Sequence, residues 1–342
     1  MKNLYTYTGI ALAFLGAVLT TSCETDSAYE DEPASIAGIA VANPAFSTLE
    51  SAAVLGNVAV VLSNSNPNDS SGDFTVFAPT NDAFARLGLQ ESTLGVLQKS
   101  FLTSTLLYHV SNGNLLSSSI NDGGTASSIL GPTRRFIERD GSLYINGSEI
   151  LATDISASNG TVHVIDKVMI ASGADVVQTA LALNDANVFK NPELTFLVAA
   201  VVHAGLVETL SDPAASYTVF APTDAAFKTL LGGSPDVADD GLLGADYTGM
   251  PSDITKLPVD LVTTVLAYHV FADTANEKFT SELNAGSVAT FQGENVTLGA
   301  FTDGVLTVKG ISNASPANML IPDVQTTNGI VHVIDQVLLP TL

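Results

Sequence analysis

Apolar and polar positions alternate along this chain in patterns that predict distinct elements. Residues 10–19 form an uninterrupted apolar run, too short to cross a bilayer, which takes about 20 residues. Phe74, Thr75, Val76 and Phe77 are β-branched or aromatic and predict a strand that Pro79 ends. Thr80 then stands where a helix N-cap belongs, with Asp82 in the first turn. A helix follows, carrying Leu94, Leu97, Phe101 and Tyr108 on or near one face. Residues 194–207 are richly apolar and predict a buried helix. Val262, Val265, Leu266 and His269 have the i, i+3, i+4, i+7 spacing of a helix face. Asp140 and Gly141 lie between the strand-like stretches 136–139 and 142–146. Both suit a type I′ hairpin turn, which needs positive φ at its two central residues. Asp303 and Gly304 predict the same turn between 300–301 and 305–308. Residues 162–170 and 331–339 are apolar on both faces, the mark of strands covered on both sides.

These elements form one unit written twice. Phe74 to Phe84 (FTVFAPTNDAF) returns as Tyr217 to Phe227 (YTVFAPTDAAF). Tyr108-His109-Val110 returns as Tyr268-His269-Val270, and Asp140-Gly141 as Asp303-Gly304. Asn159 to Val168 (NGTVHVIDKV) returns as Asn328 to Val337 (NGIVHVIDQV). The order is the same, and the second copy carries an insert of about 17 residues between Phe220 and His269. Copies of this size are domains rather than solenoid repeats of 20–50 residues. Each places helices in its first half and strands in its second, an α+β arrangement.

The three boxes, in the same order twice, resemble fasciclin-type domains, and the resemblance covers residues 36–339. It implies two domains, each a β-sandwich or wedge with helices packed alongside. Residues 36–172 and 173–342 are the expected boundaries. Such domains occur in cell-surface and matrix proteins, so the resemblance implies adhesion or binding rather than catalysis. The second copy departs from the first box at Tyr217 and Ala225, neither of which alters the expected fold.

Charge and cysteine usage narrow the setting. The 342 residues hold 12 Lys and Arg against 35 Asp and Glu, a formal charge of −23. That excludes an electrostatic grip on nucleic acid and docking on anionic lipid through protein charge. With 46% apolar and 14% charged residues, two packed cores are affordable. The single Cys excludes an internal disulfide and a multi-thiolate zinc site.

That residue, Cys23, follows Lys2, the apolar run and a short polar stretch. Residues 1–22 resemble a bacterial lipoprotein signal, with Cys23 the lipidated first residue of the mature chain. Thr20 and Thr21 depart from the commonest form of such a signal. Residues 23–35 are acidic and read as a tether. The expected location is the cell envelope, anchored in the outer membrane by lipid alone and displayed at the surface, with the periplasmic face as the alternative.

Strings that announce catalysis are absent: no G-x-S-x-G, H-E-x-x-H, P-loop or full EF-hand loop occurs. No cofactor is expected, and the chain reads as a non-enzyme. His163 and His332 sit on the closing strands, sharing faces with Ile165 and Met169 or Ile334 and Leu338, and read as neutral, bonded interior residues. His109 and His269 end helices, where free carbonyls await a donor. Tyr108, His109, Tyr268 and His269 are also the ligand-contacting candidates, because the resemblance extends to animal proteins in which this region is linked to integrin binding. In the insert at 232–256, Asp236, Asp239 and Asp240 are weak calcium candidates, since their spacing matches no calcium loop. Two functions remain in view. One is adhesion or binding to extracellular matrix, polysaccharide or a cell-surface protein; the alternative is a structural protein of the envelope or biofilm matrix that associates with itself.

Overall fold

Phe74–Pro79 (β1) is buried along its whole length because it runs between two neighbours. It pairs in parallel with the closing strand of its copy and antiparallel with Val110–Asn112 (β2). The computed structural model that shows this describes residues 33–183, 194–233, 241–271 and 277–341. Within Pro33–Leu342 the chain forms a single compact unit.

The first copy opens with helices α1 (Ile36–Ala42), α2 (Ser47–Leu55) and α3 (Ala59–Leu62), followed by β1. Helix α4 (Asn81–Ala85) starts where the sequence indicates, with the Thr80 hydroxyl accepting the Ala83 N–H. The expected continuation through Leu94 and Tyr108 is broken. Helix α4 ends before Gly88, whose φ is +70°. A 3-10 turn then covers Leu94–Val96, Gln98 is extended, and α5 occupies Lys99–Tyr108. Breaking the helix lets Leu94, Leu102 and Leu106 enter one cluster with Ala52 and Phe84. After β2 come β3 (Thr125–Ser127), β4 (Thr133–Arg139), β5 (Ser142–Ile145), β6 (Ser148–Ala157), β7 (Gly160–Ile165) and β8 (Ile170–Ala171). Asp140 and Gly141, at φ +53° and +83°, close the β4–β5 hairpin as a type I′ turn requires.

The second copy repeats the plan. Its elements are α6 (Val176–Leu183), α7 (Thr195–His203), α8 (Val207–Leu210), β9 (Tyr217–Pro222), α9 (Asp224–Gly232), α10 (Val259–Tyr268), β10 (Gly286–Ala289), β11 (Asn295–Leu298), β12 (Thr307–Lys309), β13 (Ala317–Gln325) and β14 (Gly329–Ile334). The helix expected over 194–207 stops at His203, and Gly205 turns the chain at φ +68°. The Asp303-Gly304 turn closes only one bridge, Thr302 to Val305, where a longer hairpin was expected. Both copies are thus α+β, with helices packed alongside a twisted sheet.

The sheets run β2-β1-β7-β6-β5-β4-β3 and β10-β11-β12-β13-β14-β9, and β8 leaves its own copy to pair with β13. β7 and β14 are shorter than the apolar patterns 162–170 and 331–339 suggest, ending at Ile165 and Ile334. Each then bends at an Asp: Asp166 accepts the Glu149 N–H at 2.6 Å and Asp335 the Asn318 N–H at 2.7 Å. Met169 and Leu338 therefore do not share a strand face with His163 and His332. Gly160 explains why its box holds glycine: a Cβ there would lie 1.9 Å from the Phe74 carbonyl oxygen.

Candidate functional site

The four helix-end residues singled out by sequence are interior. Tyr108 and Tyr268 are 0% exposed, His109 and His269 2%. Each imidazole bolts the end of its helix to the segment that follows the closing strand. His109 Nδ1 donates to the Thr105 carbonyl at 2.7 Å, and its Nε2 accepts the Met169 N–H at 2.9 Å. His269 does the same with the Val265 carbonyl at 2.7 Å and the Leu338 N–H at 2.8 Å. Burial without a compensating charge pushes both down to about 4, so both rings are neutral at pH 7. These four ligand-contacting candidates are therefore buried residues whose polar atoms are engaged inside the protein.

The closing histidines are bonded in the opposite tautomer. His163 Nε2 donates to the Leu115 carbonyl at 2.8 Å, and its Nδ1 faces the Asp154 N–H at 3.4 Å. His332 Nε2 donates to the Lys278 carbonyl at 3.0 Å and accepts the Asp323 N–H on Nδ1 at 3.1 Å. Both rings are 0% exposed and lie against Phe77 and Phe220. Burial lowers the pKa of each. Among the described residues, the hydrogen-bond partners of both rings are backbone groups.

Cys23 and the calcium candidates Asp236, Asp239 and Asp240 lie outside the described residues. The described part of the same insert is organised by Asp253, which is buried. Its carboxylate accepts the Thr248 N–H and hydroxyl and the Met250 N–H, and meets Lys256 at 2.7 Å. Burial opposes its charge, but Lys256 and these donors hold the carboxyl well below the usual range. Among the described residues, no group of three or more His, Cys, Asp or Glu could hold a metal ion. No helix among them is long and apolar enough to cross a membrane.

A dense set of polar contacts lies between the two copies, where the sequence indicated no site. Lys167, buried, sends its ammonium to the Asp323 carboxylate at 2.9 Å, the Gly304 carbonyl at 2.6 Å and the Thr280 hydroxyl at 3.1 Å. Arg135 meets Glu282 at 2.7 Å and Glu277 at 3.6 Å. Arg139 donates to the Leu283 carbonyl at 2.6 Å and covers the Phe301 ring at 4.2 Å. Arg86 reaches the Asp303 carbonyl at 2.7 Å. The Tyr108 hydroxyl bonds Gln325, which joins one Tyr-His pair to this seam, whereas the Tyr268 hydroxyl stays within its own copy on the Asn295 carbonyl. A cleft of about 420 Å³ opens here, lined by Thr125, Thr133, Arg135, Glu277, Gln325 and Thr327 among others.

The seam thus joins two copies of one unit with the same strand order, the same cap and the same imidazole bolts. Residues 44–171 and 192–340 each match the family described as Fasciclin domain. The chain belongs to the fasciclin domain family. A Synechocystis relative, protein sll1483, is 37% identical over 151 residues, which are 44% of this chain and 80% of that protein. Human periostin is 28% identical over 284 residues, covering 80% of this chain and 29% of periostin. The chain therefore spans under a third of periostin's length. Among solved structures, a fasciclin domain pair from the insect cell adhesion molecule fasciclin I aligns over 78% of this chain and 88% of its own, at 18% identity and a TM-score of 0.37. In the two fasciclin copies here, the one cationic face and the one acidic face that meet were not legible beforehand. Arg86, Arg135, Arg139 and Lys167 are scattered in sequence, and only folding gathers them. One signal was available: Lys167 in the first closing box is replaced by Gln336 in the second.

Proposed function

We propose that this chain is a lipid-anchored binding module of the cell envelope, and that its paired fasciclin domains attach to extracellular matrix, polysaccharide or a cell-surface protein. The observation that carries this reading is the fasciclin match in both copies, 44–171 and 192–340. The burial of every candidate acid–base imidazole in the closing boxes and at the helix ends agrees with it, because a buried ring with both nitrogens bonded has no proton to exchange with a substrate. Under this proposal residues 1–22 are removed as a signal, Cys23 carries the lipid, residues 23–35 form the tether, and 36–172 and 173–342 are the two domains. The anchor lies in the outer membrane and the domains face outward.

Protease shaving of intact cells tests the location. Release of the 24–342 portion from wild-type cells, with a Cys23→Ala protein recovered unanchored, is the expected result. Protection of the wild-type protein in intact cells would place it on the inner face and remove adhesion as its role. Binding of the purified 24–342 chain to a matrix and glycan panel then identifies the ligand class.

A further inference from the structure

The seam between the copies has an uncovered twin. In the second copy the segment 279–283 lies against the first: Arg135 stands over the Phe279 ring, Lys167 donates to the Thr280 hydroxyl and the Ser281 hydroxyl donates to the Asn146 carbonyl, and these three residues of the segment are 1%, 0% and 3% exposed. The matching segment of the first copy is 116–120, because Leu115 and Lys278 each accept the closing histidine's Nε2 proton. There Leu116 is 43% exposed, and Ser118 and Ser119 are exposed.

The group that receives Lys167 is built in both copies. Asp154 and Asp323 stand at equivalent places on β6 and β13, at φ +59° and +64°. Each turns its backbone N–H to the closing imidazole. Each carboxylate accepts the backbone N–H and the hydroxyl of the residue that opens the neighbouring 3-10 turn, Ser117 in one copy and Thr280 in the other. On Asp323 the remaining lone pairs hold the Lys167 ammonium. Asp154 is exposed, and among the described residues no Lys or Arg reaches it.

We propose that this face of the first copy, centred on Asp154, Ser117 and Leu116, is a docking surface for a fasciclin domain of another protein. That domain carries a lysine directly after its closing-strand Asp, as Lys167 follows Asp166. The interface already present within the chain shows what covers such a face: a buried ammonium on the Asp, flanked by arginines. A second molecule of this chain does not fit. Its own Lys167 is consumed internally, and its second copy has Gln336 at that place and Thr302 where the first has Arg139. This inference rests on the binding reading above and names its partner.

The test transplants the missing cations. A full chain carrying Thr302→Arg and Gln336→Lys presents the lysine and one arginine on its second copy, at positions that are exposed and half-buried. Sedimentation velocity of purified wild type should show monomer. The double variant should form larger species whose share rises with concentration, and adding Asp154→Asn should weaken that association at least tenfold. Circular dichroism and the unfolding midpoint confirm that each variant is folded. A folded double variant that sediments as wild type, or association that survives Asp154→Asn, overturns the proposal. The readout uses purified chains, so it fails or succeeds independently of the shaving and ligand-panel results.

Discussion

The Lys167 ammonium lies 2.9 Å from the Asp323 carboxylate, and this buried pair ties the closing loop of one fasciclin copy to the long strand of the next. Burial opposes the charge on Asp323, but Lys167, His332 and the Thr280 donors outweigh it and hold the carboxyl below its usual range. Removing one partner of such a pair strands a charge away from water, which costs about 3–5 kcal/mol. Lys167→Met should therefore destabilise the chain by about that amount in urea unfolding, and the pair Lys167→Met with Asp323→Asn should recover part of the loss. A double-mutant cycle with no coupling would refute the role given to the pair.

The same pair fixes an acid limit. A carboxylate whose folded pKa is depressed contributes stability that is fully present above its unfolded value of about 3.9 and is lost as pH falls through the folded value. Unfolding free energy should fall more steeply below about pH 4 in wild type than in Asp323→Asn.

The helix-end imidazoles act in a higher window. Both have folded values near 4 against an ordinary 6.5, because burial disfavours the charged ring. The unfolded chain then binds more protons between those values, so this stabilisation is present above about pH 6.5 and drains away as pH falls towards 4. Each ring contributes on the order of 3 kcal/mol at neutral pH by this linkage. Urea unfolding from pH 7 to 4 should show the decline, and His269→Phe should flatten it. In NMR, neither ring should titrate between pH 5 and 8 in the folded state.

Gly160 approaches the neighbouring strand too closely for any side chain. A Cβ placed 1.9 Å from the Phe74 carbonyl oxygen forces the parallel β1–β7 pair apart. Gly160→Ala should cost about 3 kcal/mol or more, with Gly329→Ala showing the same sign at its 2.3 Å approach to the Tyr217 carbonyl oxygen. Gly131→Ala, with no neighbour in reach of the new methyl, should pay only for its positive φ. Thermal unfolding of the three variants ranks them.

Thr80 and Thr223 offer a smaller, matched test. Each hydroxyl accepts the N–H three residues on, at 3.2 Å. Replacing either by Ala should cost about 1 kcal/mol, measured by urea unfolding.

Local signals carried much of the fold. The β-branched run ending at Pro79 and the Thr80 cap were readable because their causes lie within a few residues, and so was the Asp140-Gly141 turn. Repetition revealed two copies of one α+β unit for the same reason, since each box keeps its local chemistry. Where tertiary packing decided, sequence misled. The pattern through Leu94 and Tyr108 reads as one helix, yet the chain breaks at Gly88 and Gln98 so that leucines from separate turns reach a shared core. The closing patterns are apolar to 170 and 339, yet the strands stop at Ile165 and Ile334 because Asp166 and Asp335 bond back to the adjacent strand. Least legible was the seam. Arg86, Arg135, Arg139 and Lys167 come from the end of α4, from β4 and from the turn after β7, and these partners lie more than 100 residues away in sequence. Periodicity reports which side of an element is buried; only the assembled chain determines which charges bury one another, because that depends on distances no local pattern records.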